Sequence, residues 1–191
     1  VQINRATELI LIRHAPALTD GRLCGRTDVA ADTSESAANA ALARAVGTVD
    51  RLIVSPARRC LATAAALWPD AEVATDAALW EQDFGVWEGL SHAALPDLGP
   101  LPRKELADHC PPGGESFADL CARVWPALRA LPEGRTALVV HAGTIRAALA
   151  MALSEPADAL AFEIASLSLS HMSRHGEVWS IGAVNRCAAW G

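Results

Sequence analysis

Histidines and arginines at the ends of three apolar runs are the residues of this chain best suited to chemistry. Leu9-Ile10-Leu11-Ile12 leads into Arg13-His14. Leu52-Ile53-Val54 leads into Ser55 and then the Arg58-Arg59 pair, and Leu138-Val139-Val140 leads into His141. Four branched apolar residues in a row suit a strand covered on both faces and are too few for a helix. In open α/β sheets ligands bind beyond the carboxyl ends of such strands. Two imidazoles, guanidinium forks that match phosphate oxygens, and a helix start with free N–H groups together suit a phosphoryl group. Singly, each has a plainer explanation: a strand-end histidine is usually just hydrogen-bonded, and Arg58-Arg59 suits a solvated helix face. Joint placement at one sheet edge is what favours chemistry.

The elements that must hold these residues alternate strand and helix. After the first strand, Ala17 to Ala31 reads as a loop whose Arg22 and Arg26 add positive charge beside the strand end. An Ala-rich helix capped by Asp32 or Thr33 runs from Thr33 to about Val46. The second strand is Arg51 to Ser55, with Ser55 as N-cap and Pro56 as first residue of a helix to about Leu67. A short strand follows at Ala71 to Ala74. Leu79 to Pro112 concentrates aromatics, carboxylates and prolines, and reads as an irregular lid or small subdomain. Ser116 and Asp119 form a capping box for a helix to about Leu131, which Pro126 should kink or end. The strand Thr136 to His141 precedes a helix Ile145 to Leu153, stopped by Pro156. Ser166 to Ser170 and Glu177 to Ala183 then pair across a turn at Arg174-His175-Gly176. The expected fold is a three-layer α/β/α sandwich with a mostly parallel sheet and a closing C-terminal hairpin.

Composition narrows the function classes. The 191 residues, 51% of them hydrophobic, suit one domain over 1–191. No stretch approaches the roughly 20 apolar residues of a membrane span, and Val1 to Glu8 offers no secretory apolar region. Val1 is not an initiator methionine, and the expectation is that a few residues upstream have been removed or left out. Five widely spaced cysteines without a C-x-x-C pair point to reduced thiols in the cytoplasm rather than disulfides or zinc. A net charge of −6 weighs against nucleic acid. The expected partner is a small molecule, with a homodimer left open.

Arg13-His14, the Ser55-x-x-x-Arg59-x-x-x-Thr63 helix start, Glu81 in Glu-x-Asp-Phe-Gly-x-Trp-Glu-Gly, Gly114-Glu115-Ser116, and His141-Ala142-Gly143-Thr144-Ile145-Arg146 occur in the order of one known family. The chain resembles, along almost its whole length, the histidine phosphatase (phosphoglycerate mutase-like) superfamily. Cys24-Gly25-Arg26-Thr27-Asp28 and Phe84-Gly85-x-Trp87-Glu88-Gly89 most resemble its α-ribazole phosphatase branch. Two positions depart from that pattern: Ala15-Pro16 stands where Gly-Glu is common, and Cys24 stands where the branch has an aromatic residue.

The resemblance implies a phosphoglycerate mutase-like fold and a metal-independent phosphomonoesterase working through a phosphohistidine on His14, without a cofactor. Arg13, Arg59 and His141 would hold the equatorial oxygens, with Gly25, Arg26 and the backbone near Ala142 as substrate contacts. Glu81 would protonate the leaving oxygen and then take a proton from water, helped by desolvation from Trp80, Phe84 and Trp87. Asp83 and Glu88 rank below Glu81 for that role. His14 must be neutral to attack, and the cations beside it favour that state. The best single substrate is α-ribazole 5'-phosphate, of cobalamin nucleotide-loop assembly. The alternatives are a phosphoglycerate mutase-type phosphoryl transferase and a non-catalytic regulatory protein on the same fold. His92, His109, His171 and His175 read as surface or structural residues.

Overall fold

A computed structural model describes residues 6–187, so the expectation for the first five residues lies outside it. Strand β1 (Thr7–Arg13) shows how the sequence divides the molecule into layers. Successive strand side chains point to opposite faces. Accordingly Leu9 and Leu11 enter one apolar cluster and Ile10 and Ile12 another. The second cluster is completed by Leu42 and Val46 of α1 (Ser36–Val46) and by Cys60, Ala64 and Leu67 of α2 (Arg58–Leu67). The first is completed by Leu120, Val124 and Leu128 of α4 (Phe117–Arg129) and by Ile145 and Leu149 of α5 (Ala142–Ala150). At about 2 kcal/mol for each fully buried Leu or Ile, β1 is fixed firmly between helical layers.

The sheet contains β1, β2 (Arg51–Val54), β3 (Ala74–Thr75), β4 (Gly134–Val140), β5 (Ser168–His175) and β6 (Val178–Cys187), in the order β3-β2-β4-β1-β5-β6. β1 with β4, β2 with β4 and β2 with β3 pair in parallel, while β5 and β6 close the sheet antiparallel. The three-layer sandwich with a closing hairpin is therefore the architecture observed. Parallel pairing also brings the carboxyl ends of β1, β2 and β4 to one edge, so His14, Ser55 and His141 leave the sheet together.

Several boundaries differ from the sequence expectation. Helix α1 begins at Ser36 because Asp32 is spent on a turn, its Oδ1 accepting from the Ser34 N–H at 3.0 Å. Helix α2 begins at Arg58 with Ala57 as N-cap, and the Ser55 hydroxyl is turned to His141 instead. The short strand falls at Ala74–Thr75 rather than Ala71 to Ala74. Helix α5 starts directly after His141, which is extended at φ −114°, ψ 168°, and ends at Ala150. The hairpin strands are longer than expected and the turn sits at Gly176-Glu177. The Ser116–Asp119 capping box forms, and α4 continues through Pro126 to Arg129. The stretch 79–112 carries short 3-10 turns and one brief helix α3 (Arg103–Asp108).

Candidate active site

Register explains why two residues 127 positions apart meet. In the parallel β1–β4 pair Arg13 lies opposite Val140, so the next residues, His14 and His141, emerge side by side. The His14 N–H donates to the Val140 carbonyl at 3.0 Å, and the two rings meet edge to face with centroids 5.2 Å apart. His14 Nδ1 lies 2.7 Å from the Ala15 carbonyl oxygen. A carbonyl only accepts, so the hydrogen bond places the proton on Nδ1 and leaves the Nε2 lone pair open. Burial, with Arg59 and Arg13 adding to it and the Ala15 hydrogen bond opposing, lowers the His14 pKa to about 3. The ring is neutral and nucleophilic at ordinary pH.

Helix α2 delivers Arg59, which is almost wholly buried at 1% exposure. Its Nε donates to His141 Nδ1 at 3.2 Å, and its terminal nitrogens donate to the carbonyls of Thr27 (3.1 Å) and Gly25 (2.6 Å). Arg59 can only donate, so His141 carries its proton on Nε2, which faces the Ser55 Oγ at 2.8 Å. Burial, with Arg59 and His14 beside it, holds the His141 pKa well below the ordinary histidine range. Both His141 ring nitrogens are thus engaged, and an oxygen contact from this ring requires it to exchange one partner. The i, i+4 spacing of Arg59 and Thr63 also acquires a reason. The Thr63 hydroxyl donates to the Arg59 carbonyl at 2.7 Å and accepts from the Ala15 N–H at 2.9 Å, tying the turn after His14 to the helix that carries Arg59.

Arg13 leaves β1 beside His14 and donates through one terminal nitrogen to the Ile164 carbonyl at 2.5 Å. Its buried Nε has no partner among the described residues. Burial lowers the Arg13 pKa, opposed by the nearby Glu81 carboxylate. Arg58, the plainer member of its pair, is exposed.

Glu81 lies against the start of α5. Its Oε2 accepts from the Gly143 N–H at 3.2 Å and its Oε1 from the Gln82 N–H at 3.0 Å. A Cβ at position 143 would collide with that carboxylate, so only glycine permits the approach. The N–H next to Ala142 is therefore taken by Glu81. Of the aromatics expected around Glu81, Trp80 stacks on His141 at 6.2 Å and Trp87 on His109 at 5.4 Å. Arg26 lies over the Trp80 ring at 5.7 Å and 3.7 Å from Glu115. Its Nε is buried and has no partner among the described residues. The lower-ranked carboxylates have other work: Asp83 Oδ1 accepts from the Gly85 N–H at 2.8 Å, and Glu88 accepts from the Gly25–Thr27 loop.

Arg123 is a residue that sequence reasoning did not single out. From α4 it grips Glu115 with two bonds of 2.8 Å and donates to the carbonyls of Ala78, Trp80 and Glu81. It fixes the backbone that carries Glu81. Its only sequence signal is its place on the inner face of a helix whose start lies next to Glu115. Among the described residues no three His, Cys, Asp or Glu side chains stand as a metal-ligand group, and no helix is long and apolar enough to cross a membrane. All five cysteines are free thiols. His92 and His175 are exposed, while His171 is partly buried, 3.7 Å from Glu8.

Two imidazoles, the buried Arg59 bonded to one of them and the partly buried Arg13 thus stand at one sheet edge. A sequence model of the histidine phosphatase superfamily (branch 1) matches residues 9–186. The chain belongs to that superfamily. Among the relatives of this histidine phosphatase family chain is a bifunctional protein of Mycobacterium tuberculosis, 37% identical over 142 residues. That match takes in 68% of the present chain but only 39% of the mycobacterial protein, so the chain spans about two fifths of that relative's length. A glucosyl-3-phosphoglycerate phosphatase of the same organism is 31% identical over 175 residues, covering 80% of this chain and 78% of its own. The mycobacterial glucosyl-3-phosphoglycerate phosphatase structure with inorganic phosphate superposes with a TM-score of 0.83 at 27% identity, covering 96% and 99% of the two chains. The fold expected from the motifs is thus that of a known phosphatase.

Proposed function

We propose that this superfamily member is a phosphomonoesterase acting on a small phosphorylated metabolite through a phosphohistidine on His14. The observation that carries it is the Nδ1–H to Ala15 carbonyl bond, which leaves Nε2 as the open nucleophile beside Arg13 and Arg59. Nε2 attacks phosphorus in line, and the P–O bond to the leaving group breaks as N–P forms. Arg13 and the N–H groups that Arg59 has left meet the charge on the equatorial oxygens, so the step calls on no metal ion. Glu81 gives its proton to the leaving oxygen, then takes one from the water that cleaves the N–P bond. His141 holds Arg59 in place.

For the substrate, the Cys24–Asp28 and Phe84–Gly89 segments favour α-ribazole 5'-phosphate. A second candidate is an ester whose leaving group carries a carboxylate, as in the glucosyl-3-phosphoglycerate phosphatases. Arg26 supports it: Glu115, 3.7 Å away, is also held by Arg123 and the Asp83 N–H, and the Arg26 Nε has no partner among the described residues. Free thiols suit a cytoplasmic location. A phosphate-release screen over α-ribazole, sugar, nucleotide and glycerate phosphates, with His14→Ala as blank, tests the proposal. Release that persists in His14→Ala contradicts it. Arg26→Ala should impair turnover of acid-bearing substrates selectively, and equal loss on neutral ones removes the second candidate.

A further inference from the structure

Glu88 is a half-buried carboxylate that the proposed reaction does not use, yet it is the most heavily hydrogen-bonded side chain near the site. Its two oxygens accept from the N–H groups of Gly25 (3.1 Å to each oxygen), Arg26 (2.8 Å), Thr27 (3.0 Å) and Phe84 (3.2 Å), and from the Thr27 hydroxyl at 2.6 Å. Burial alone would raise its pKa. The Thr27 hydroxyl and these N–H groups outweigh burial and hold it below the usual glutamate range. The loop packs so closely that a Cβ at Gly25 would stand 2.8 Å from Glu88 Oε1 and collide with the Gln82 carbonyl.

Three consecutive N–H groups drawn to one anion fix the orientation of the peptide units between them. The Gly25 carbonyl, in the same peptide unit as the Arg26 N–H, receives one terminal nitrogen of Arg59 at 2.6 Å, and the other goes at 3.1 Å to the carbonyl of Thr27, whose own N–H and hydroxyl Glu88 holds. Arg59 has no carboxylate partner among the described residues, so these dipoles are what orient its fork. We infer that Glu88 is a positioning residue: it shapes the Gly25–Thr27 loop into the carbonyl cradle that aims the Arg59 guanidinium at the phosphoryl site. The inference rests on the phosphatase mechanism for its purpose, while the relay from Glu88 to Arg59 rests on geometry alone. A glutamine in place of Glu88 would retain one accepting oxygen and turn an NH2 donor towards the same N–H groups. The loop would then rearrange and Arg59 would lose its acceptors.

The test compares wild type, Glu88→Gln, Glu88→Asp, Arg59→Lys and the Glu88→Gln/Arg59→Lys double variant. It measures binding of inorganic phosphate and the NMR signal of the Arg59 Nε–H. Misplacing one guanidinium should weaken phosphate binding roughly tenfold in Glu88→Gln, with Glu88→Asp recovering part of the loss. The double variant should bind no more weakly than Arg59→Lys, because the two changes act through one group. Losses that multiply in the double variant overturn the inference, as does an unmoved Arg59 Nε–H signal in Glu88→Gln. If wild type fails to bind phosphate, the phosphatase mechanism falls, and the NMR signal alone decides the relay. Should Glu88→Gln not fold, Thr27→Val removes one of the bonds to Glu88, and the Arg59 signal must shift in that variant too.

Discussion

His14 and His141 stand edge to face at 5.2 Å because β1 and β4 are neighbouring parallel strands paired in register up to Arg13 and Val140. Both rings are neutral, and both owe that chiefly to burial. The unfolded chain protonates each near 6.5, whereas folded His14 stays neutral down to about 3. Below 6.5 the unfolded state therefore binds more protons, and stability present above that pH is lost as pH falls towards 3. The slope is about 1.4 kcal/mol per pH unit for each histidine. Urea unfolding between pH 7 and 4 should show a shallower acid loss in His14→Asn than in wild type, by about one proton. Equal slopes contradict the assignment.

Ser55 supports the second ring. In Ser55→Ala the buried His141 Nε2–H loses its hydroxyl partner, which costs about 1–3 kcal/mol. Thermal unfolding should shift down by roughly 2–4 °C for each kcal/mol in a chain of this size. Ser55→Thr, which keeps the hydroxyl, should lose less. An unchanged melting temperature in Ser55→Ala means that the bond contributes nothing.

The proton role of Glu81 is testable with leaving groups. Glu81→Gln should slow alkyl phosphates by about 10²–10⁴-fold and p-nitrophenyl phosphate far less, since nitrophenolate leaves without a proton. Equal losses on both substrates would remove Glu81 from the acid role.

Arg123 acts through the backbone of Glu81. Arg123→Lys forfeits the two-pronged grip on Glu115 and most of the bonds to the carbonyls of Ala78, Trp80 and Glu81. With alkyl phosphates kcat should fall by about tenfold or more while KM moves little, because the misplaced group works in the transition state. A rise in KM with kcat unchanged would make Arg123 a binding element instead.

The layers and the catalytic edge were legible in the sequence because their signals are local. Apolar runs of strand length mark β1 and β4, and the residues just after them are His14 and His141. Arg59 could be placed on α2 from its motif, yet its acceptors could not, since Gly25 and Thr27 lie more than 30 residues away. Ser55 was misread for a similar reason. Its N-cap pattern with Pro56 is a local signal, and a hydroxyl bond to His141, 86 residues on, overrode it. Glu88 sits inside a quoted motif and Arg123 on the inner face of α4, yet neither signal names their partners, which meet them only once distant loops are folded against them.

The proposed chemistry rests on the open Nε2 of His14. Rapid acid-free quenching of enzyme turning over ³²P-labelled substrate, followed by peptide mapping, measures it directly. Alkali-stable, acid-labile label on the His14 peptide, absent in His14→Ala, is the predicted result. Steady phosphate release with no label on His14 at any quench time, or label on another residue, would contradict it.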